Sequence, residues 1–275
     1  MKKTIHILTL LLALTGTIGA QEIHHLDTIQ APIVGFHVGG MVPSDRLSWG
    51  RPPDGDKVTS GSMFDLYKPP YLNFGLDFIY KFHNNWMLSF DGNLFFGNDN
   101  LRDRVARMDN IFTQDSIIVG TNGTDATVTC YNRGLAFKVG AGKLFPLSSQ
   151  NPNAGLFGKI AAGWVQHQSV FFINEVNAPQ IDGDYALLYD HQRRGFTLNE
   201  SFGYMFMSNH RLLANFYVAL ELNQYWMHST RDYILDHKMG LHGPDKNKYF
   251  DFSYSLKLCW MIPLTGKPSY DYYYF

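Results

Sequence analysis

The sequence predicts an all-β protein, an eight-stranded antiparallel transmembrane β-barrel with four long loops facing outside the cell. Three observations predict it. Apolar and polar residues alternate with period two over ten or more residues in several segments, the mark of strands with one apolar face. The connections between these segments alternate short and long. The chain opens on an export-type segment, and no long apolar stretch follows it.

The opening segment sets the compartment. Lys2 and Lys3 precede an apolar run from Ile5 to Ile18, and Gly19 and Ala20 stand before Gln21. This charged, apolar, small-residue order is that of a cleaved secretory signal peptide. The run falls short of the ~20 residues a spanning helix needs. The expected organisation is a signal peptide over 1–20 and one barrel domain over 21–275. The charges nearly cancel, 23 basic against 24 acidic, with no basic block, so nucleic acid is not an expected partner. The two cysteines, Cys130 and Cys259, fall toward opposite barrel ends in this topology and are expected as free thiols.

The first strand spans about Ile33 to Val42, with Val34, Phe36, Val38 and Val42 opposite Gly35, His37 and Gly39. In the second, Leu72, Phe74, Leu76, Phe78 and Tyr80 alternate with Asn73, Gly75, Asp77, Ile79 and Lys81. The third, from Trp86 to Gly97, sets Leu88, Phe90, Leu94 and Phe96 against Met87, Ser89, Asp91 and Asn93. His83-Asn84-Asn85 joins these two as a tight hairpin turn. The fourth, about Tyr131 to Phe145, sets Leu135, Phe137 and Val139 against Ala136, Lys138 and Gly140. The fifth runs from Leu156 to Ser169, with Ile160 and Trp164 opposite Lys159 and Ala161. The sixth, about Phe196 to Met207, turns Phe202, Tyr204 and Phe206 outward. The seventh, about Leu212 to Trp226, sets Phe216, Val218, Leu220 and Leu222 against Tyr217, Glu221 and Asn223. The eighth, about Tyr249 to Ile262, sets Phe250, Tyr254, Leu256, Leu258 and Trp260 against Asp251, Ser253, Lys257 and Cys259.

Short joints at 83–85, 146–154 and 208–211 alternate with long polar ones at 43–70, 98–130, 170–194 and 228–248. That is the pattern of an outer-membrane barrel, with short turns on the periplasmic side. A secreted β-sandwich also alternates, but its strands stay nearer five or six residues. Aromatics gather at strand ends, Tyr80, Phe82 and Trp86 at one and Tyr225 and Trp226 at the other, as interfacial girdles do. Glu200 breaks the pattern by taking the apolar parity of the sixth strand. A bulge near Leu198–Ser201 would return it to the lumen. A later strand start would also explain it.

The lumen parity collects Asp77, Lys81, Asp91, Lys138, Lys159, Glu221, Asp251 and Lys257. Eight strands enclose a space that side chains fill, so a plug of paired charges is preferred to a conduit, with Glu221 and Lys257 as candidate partners. His167 and Ser169 share a strand face near the loop end, with Glu175 following. They form the candidate nucleophile and base of an alternative reading, a lipid-modifying enzyme. Their parity matches that of Lys159, so both point to the lumen. His237 and His242 share a loop at a spacing that is poor for zinc, so no metal or cofactor is expected. The sequon-like Asn122-Gly123-Thr124 and Asn199-Glu200-Ser201 are read as chance matches.

With its export signal before Gln21, its eight amphipathic strands and the aromatic tail Tyr270-Asp271-Tyr272-Tyr273-Tyr274-Phe275, the chain resembles the small outer-membrane β-barrel proteins of the Bacteroidota. The resemblance covers nearly the whole mature chain and is one of pattern. It implies outer-membrane lipid as surroundings and assembly by the outer-membrane insertion machinery. The aromatic eighth strand ending at Trp260 is the expected guide, since Pro263 and a short tail separate it from Phe275. Some barrels of this class serve type IX secretion and gliding, so the resemblance also implies an accessory role in secretion. His167-x-Ser169 is similar to the His-x-Ser of a lipid A deacylase barrel, whose residues act at a membrane-facing site. The function expected is that of a non-enzymatic structural or partner-binding barrel. Its binding surface lies in the loops, first in 98–130 with Arg102, Asp103, Arg104 and Arg107. The alternatives are the enzyme above and a narrow pore.

Overall fold

The computed structural model describes residues 28–43, 71–98, 118–149, 151–174, 178–208, 214–236 and 241–264. Eight long strands form the barrel: β1 (Ala31–Pro43), β2 (Tyr71–Lys81), β3 (Trp86–Asn98), β5 (Asp125–Ser148), β6 (Asn151–Asn174), β7 (Arg193–Phe206), β8 (Phe216–Ser229) and β11 (Lys248–Pro263). Three short strands, β4 (Ile118–Val119), β9 (Ile234–Asp236) and β10 (Leu241–Gly243), belong to the loops. Every barrel strand pairs antiparallel with its sequence neighbour, and β1 closes the ring on β11. Closure leaves no strand edge, the condition for a sheet surrounded by lipid.

The register fixes the tilt. Cross-strand partners lead from Phe36 through Leu76, Gly92, Phe137, Trp164, Phe196 and Trp226 to Phe250. Phe36 itself faces Trp260 across the closing pair, ten residues further along the same strand. A stagger of that size over eight strands, at ordinary strand rise and spacing, tilts the strands about 40° from the axis.

Polarity is inverted relative to a water-soluble protein. The outer face carries Phe36, Phe78, Phe90, Phe202, Leu220 (65% exposed) and Leu256, while the inner face buries Asp77, Asp91, Glu221 and Lys257 (0% exposed). Such a ring is a membrane-spanning barrel. Strand alternation alone produces it, because neighbouring residues point to opposite faces. At the β2–β3 turn, the Asn85 amide donates to the Phe82 carbonyl at 3.0 Å. Asn85 adopts a positive φ of 62°, which Asn tolerates and which steers the chain into β3.

The structure revises several expectations. β5 and β6 run well past the expected ends, to Asp125 and Asn174, because beyond Tyr131 and His167 their upper quarters keep pairing as an arm above the ring, with β4 added along the tip of β5. At the lower end Ser148 still pairs with Asn151, so the strands reach further than the expected joint at 146–154 allowed. β7 begins earlier than expected, at Arg193, and its register is continuous through Leu198, Asn199, Glu200 and Ser201 on both sides, so no bulge is present. Glu200 therefore stays on the outer face, where the Gln224 side-chain amide donates to it at 3.5 Å from the next strand. Tyr225 is buried in the lumen, so Trp226 alone of that pair is outward. Cys259 is a buried free thiol, and the Cys130 side chain lies outside the described ones, as do the expected signal segment and the aromatic tail.

Candidate functional site

The lumen is filled in layers. At the short-turn end, Ile33, Ile79, Met87, Leu144, Phe157, Met205 and Met261 form an apolar cluster. Phe157 meets the Tyr217 ring edge-on, with centroids 5.3 Å apart. There Lys81 donates across the lumen to the Asn153 side-chain oxygen at 3.0 Å and to the Ile29 carbonyl at 3.2 Å.

The middle layer is ionic. Lys257 Nζ donates to Asp77 Oδ1 at 2.9 Å, and His37 Nδ1 lies 3.1 Å from the same oxygen. The Tyr217 hydroxyl donates to Asp77 Oδ2 from the far wall. Lys159 bonds Asp91 at 2.7 Å. Glu221 lies 3.7 Å from Lys257 and 3.9 Å from Lys138, and Lys138 also donates to Asn223 Oδ1 at 3.3 Å. Three carboxylates thus face three ammonium groups, and the expected Glu221–Lys257 pair is one contact in the set. Buried charges keep company this way because desolvation is otherwise uncompensated.

A second apolar layer lies above, made of Met41, Tyr71, Phe95, Ala136, Val165, Tyr225 and Met227. Two of its rings, Tyr71 and Phe95, lie against glycines of the wall, Gly97 and Gly134. A Cβ on Gly134 would sit 2.0 Å from Phe95, so glycine there makes room for the ring.

His167 and Ser169 sit above this layer, both buried and both facing the lumen. Ser169 Oγ donates to Asn132 Oδ1 at 2.8 Å, and Asn132 in turn donates to the Tyr71 hydroxyl at 2.8 Å. The serine proton is thus directed at an amide oxygen, not at a base. Two positions along one strand face separate the histidine from the serine by roughly 7 Å of backbone. Glu175 lies outside the described residues. Arg193, the cross-strand partner of His167, lies 3.4 Å over the Tyr249 ring.

The long-loop end carries a third hydrophobic cluster, outside the ring, that sequence reading missed. Ile118, Ala126, Ala178, Ile181 and Tyr189 pack together, with Phe171, Ile173, Leu188 and Leu235 against them. These residues come from the β4–β5 hairpin, the top of β6, the segment 178–190 with its two 3-10 turns, and β9. Asn122-Gly123-Thr124 forms the hairpin turn, with Asn122 Oδ1 accepting from the Thr124 amide at 3.1 Å and Gly123 at φ 77°. Gln180 donates to the Val119 carbonyl at 3.0 Å, and the Ser169 amide donates to the Asp190 carbonyl at 2.9 Å. Arg231 clamps Asp190 from the next loop, its Nε at 2.9 and 3.1 Å from the two carboxylate oxygens. Those bonds raise the guanidinium pKa above its usual value. The apolar residues of 118–126 and 171–189 were a readable signal, but without knowing that three loops converge they look like isolated strand ends.

The platform presents Tyr185, Leu187 and Tyr233 to solvent. Arg102, Asp103, Arg104 and Arg107 of the loop first favoured for binding lie outside the described residues, as does His237. Among the described residues no three His, Cys, Asp or Glu side chains group as metal ligands.

No protein-family model matches the chain, and no curated protein matches it. Solved structures do. The N-terminal β-barrel domain of Pseudomonas aeruginosa OprF is 11% identical, with 85% of this chain and 98% of that one covered and a TM-score of 0.35. The attachment invasion locus protein Ail of Yersinia pestis is 12% identical, at 85% and 97% coverage and a TM-score of 0.35. Neisserial surface protein A is 9% identical, at 83% and 96% coverage and a TM-score of 0.34. No residue role is carried over from them.

Proposed function

We propose that this chain is a non-enzymatic barrel of a bacterial outer membrane that binds a protein partner through the platform at its long-loop end. One observation carries this reading: the loops have a hydrophobic core of their own, built from Ile118, Ala178, Ile181 and Tyr189 and tied down by the Asp190–Arg231 clamp. Loops that only join strands do not need one. A pre-ordered platform lowers the ordering cost of binding, and aromatic residues such as Tyr185 and Tyr233 supply contact area with few rotatable bonds. The layered lumen supports a binding role over a pore, and the Ser169–Asn132 bond supports it over catalysis.

The test is site-specific photocrosslinking of the full chain in native outer membranes. A crosslinker at Tyr185 or Tyr233 is expected to capture a discrete protein, and one at Phe202 on the lipid face is not. The folded chain should migrate faster than the boiled chain on gels. Recovery as a soluble periplasmic protein would defeat the membrane reading, and equal capture at all three positions would defeat the platform reading. An accessory role in protein secretion is the finer form of this proposal, and mass spectrometry of the captured partner decides it.

Ser169→Ala is expected to leave the acyl pattern of lipid A unchanged, because its hydroxyl is buried in the lumen away from lipid. Lipid mass spectrometry showing an altered pattern would establish the lipid-modifying reading instead.

A further inference from the structure

We propose that the outer face of β7, β8 and β11 binds the phosphate groups of an anionic lipid headgroup, of the kind lipid A carries in an outer leaflet. The proposal rests on the outer-membrane reading above. Phe196, Trp226 and Phe250 are direct cross-strand partners on the outer face of three neighbouring strands. Their rings touch in sequence, at 5.8 Å between Phe196 and Trp226 and 5.2 Å between Trp226 and Phe250. Two residues further toward the loops, on the same face, stand Arg194, His228 and Lys248, which are again direct cross-strand partners and all exposed.

This is a basic row seated on an aromatic row. Aromatic rings of this kind mark the interface between hydrocarbon and headgroups. One side-chain step above them, about 7 Å along the strand, is headgroup depth. Gln166, the cross-strand partner of Arg194, adds an amide donor beside the row. Further toward the loops stand Gln192 and Thr230, which bond to each other at 2.8 Å, Gln168, which accepts from Gln192 at 2.7 Å, and the exposed Lys246. The first outward carboxylate on these strands is Glu200, six residues down β7 and below the aromatic level. Charges of one sign at that depth attract the opposite sign in the lipid. Arg194 brings a planar fork that matches phosphate oxygens, and Lys248 a point charge.

The experiment uses the full chain refolded in phosphatidylcholine nanodiscs, with lipid A as the titrated probe. Arg194→Gln and Lys248→Gln should each weaken lipid A binding about fivefold, and the triple change with His228→Gln at least about twenty-fivefold. Lys143→Gln, a cation at the opposite, short-turn end of the barrel beside Trp86, should change it less than twofold. Dephosphorylated lipid A should bind the wild type as weakly as lipid A binds the triple variant. Unchanged affinity in the single and triple variants would overturn the proposal, as would inorganic phosphate alone binding as tightly as lipid A. The folded-form gel shift is read on every sample. Its absence in the wild type defeats the membrane reading, and a normal shift with unchanged lipid A affinity defeats the headgroup site alone.

Discussion

Phe78→Arg is expected to block assembly of the barrel, leaving chain that never acquires the folded-form gel shift. Phe78 lies on the outer face of β2, between Val34 on β1 and Phe90 on β3, with its ring 6.3 Å from that of Phe90. It is 47% exposed, and what it is exposed to is lipid. An arginine on the lipid face of a barrel costs about 2–4 kcal/mol near the bilayer midplane and close to nothing at the interface. Marginal folding free energies do not absorb a loss of that size easily. Phe250→Arg, at the aromatic rim, should therefore be tolerated. Asn73→Ser should be tolerated too, since Asn73 faces the lumen. The measurement is the fraction of folded band after refolding into lipid vesicles at fixed lipid ratio. Equal yields for Phe78→Arg and Asn73→Ser would show the faces to be misassigned.

Asp77→Ala is expected to destabilise the folded barrel by about 3–5 kcal/mol, the usual result of removing one partner from a buried ion pair. Asp77 accepts from Lys257 and from Tyr217, with His37 at its edge, and both Asp77 and Lys257 are fully buried. Its loss leaves three ammonium groups facing two carboxylates at the centre of the lumen. The double change Asp77→Asn with Lys257→Met removes one charge of each sign and keeps the volumes close. It should recover most of the loss, because the remaining Asp91–Lys159 and Glu221–Lys138 pairs still balance. Urea midpoints of the folded band for wild type, single and double variants give the comparison. A single variant as stable as wild type would mean that the central charges are solvated and that the lumen is open to water.

Much of this architecture is written in local pattern. Phe74, Leu76, Phe78 and Tyr80 announce an outward face and Asn73, Asp77 and Lys81 an inward one, because side chains on a strand alternate whatever the rest of the chain does. The same rule placed the lumen charges and put His167 and Ser169 inside, and the short polar run His83-Asn84-Asn85 marked the β2–β3 turn. Alternation also put Glu200 outside. The bulge that would have brought it in is absent because β7 is held in continuous register by both neighbours.

Tertiary structure alone decided which of these residues meet. Asp77 and Lys257 are 180 positions apart in the chain, and Asp77 and Tyr217 are 140 apart. Their contact depends on ring closure and on the ten-residue stagger that sets the height of each strand. Neither follows from alternation, since alternation is unchanged when a strand slides by two residues. The platform is the same case at the loop end. Ile118, Ile181 and Leu235 come from three separate connections, each too short in apolar residues to show a core by itself. They become one only where the barrel rim brings the three loops together. The sequence by itself determined the direction in which each side chain of a strand points, a property of two or three neighbouring residues. Partners across the lumen and across the loops were decided by closure, because contact between distant segments depends on the register of every strand between them.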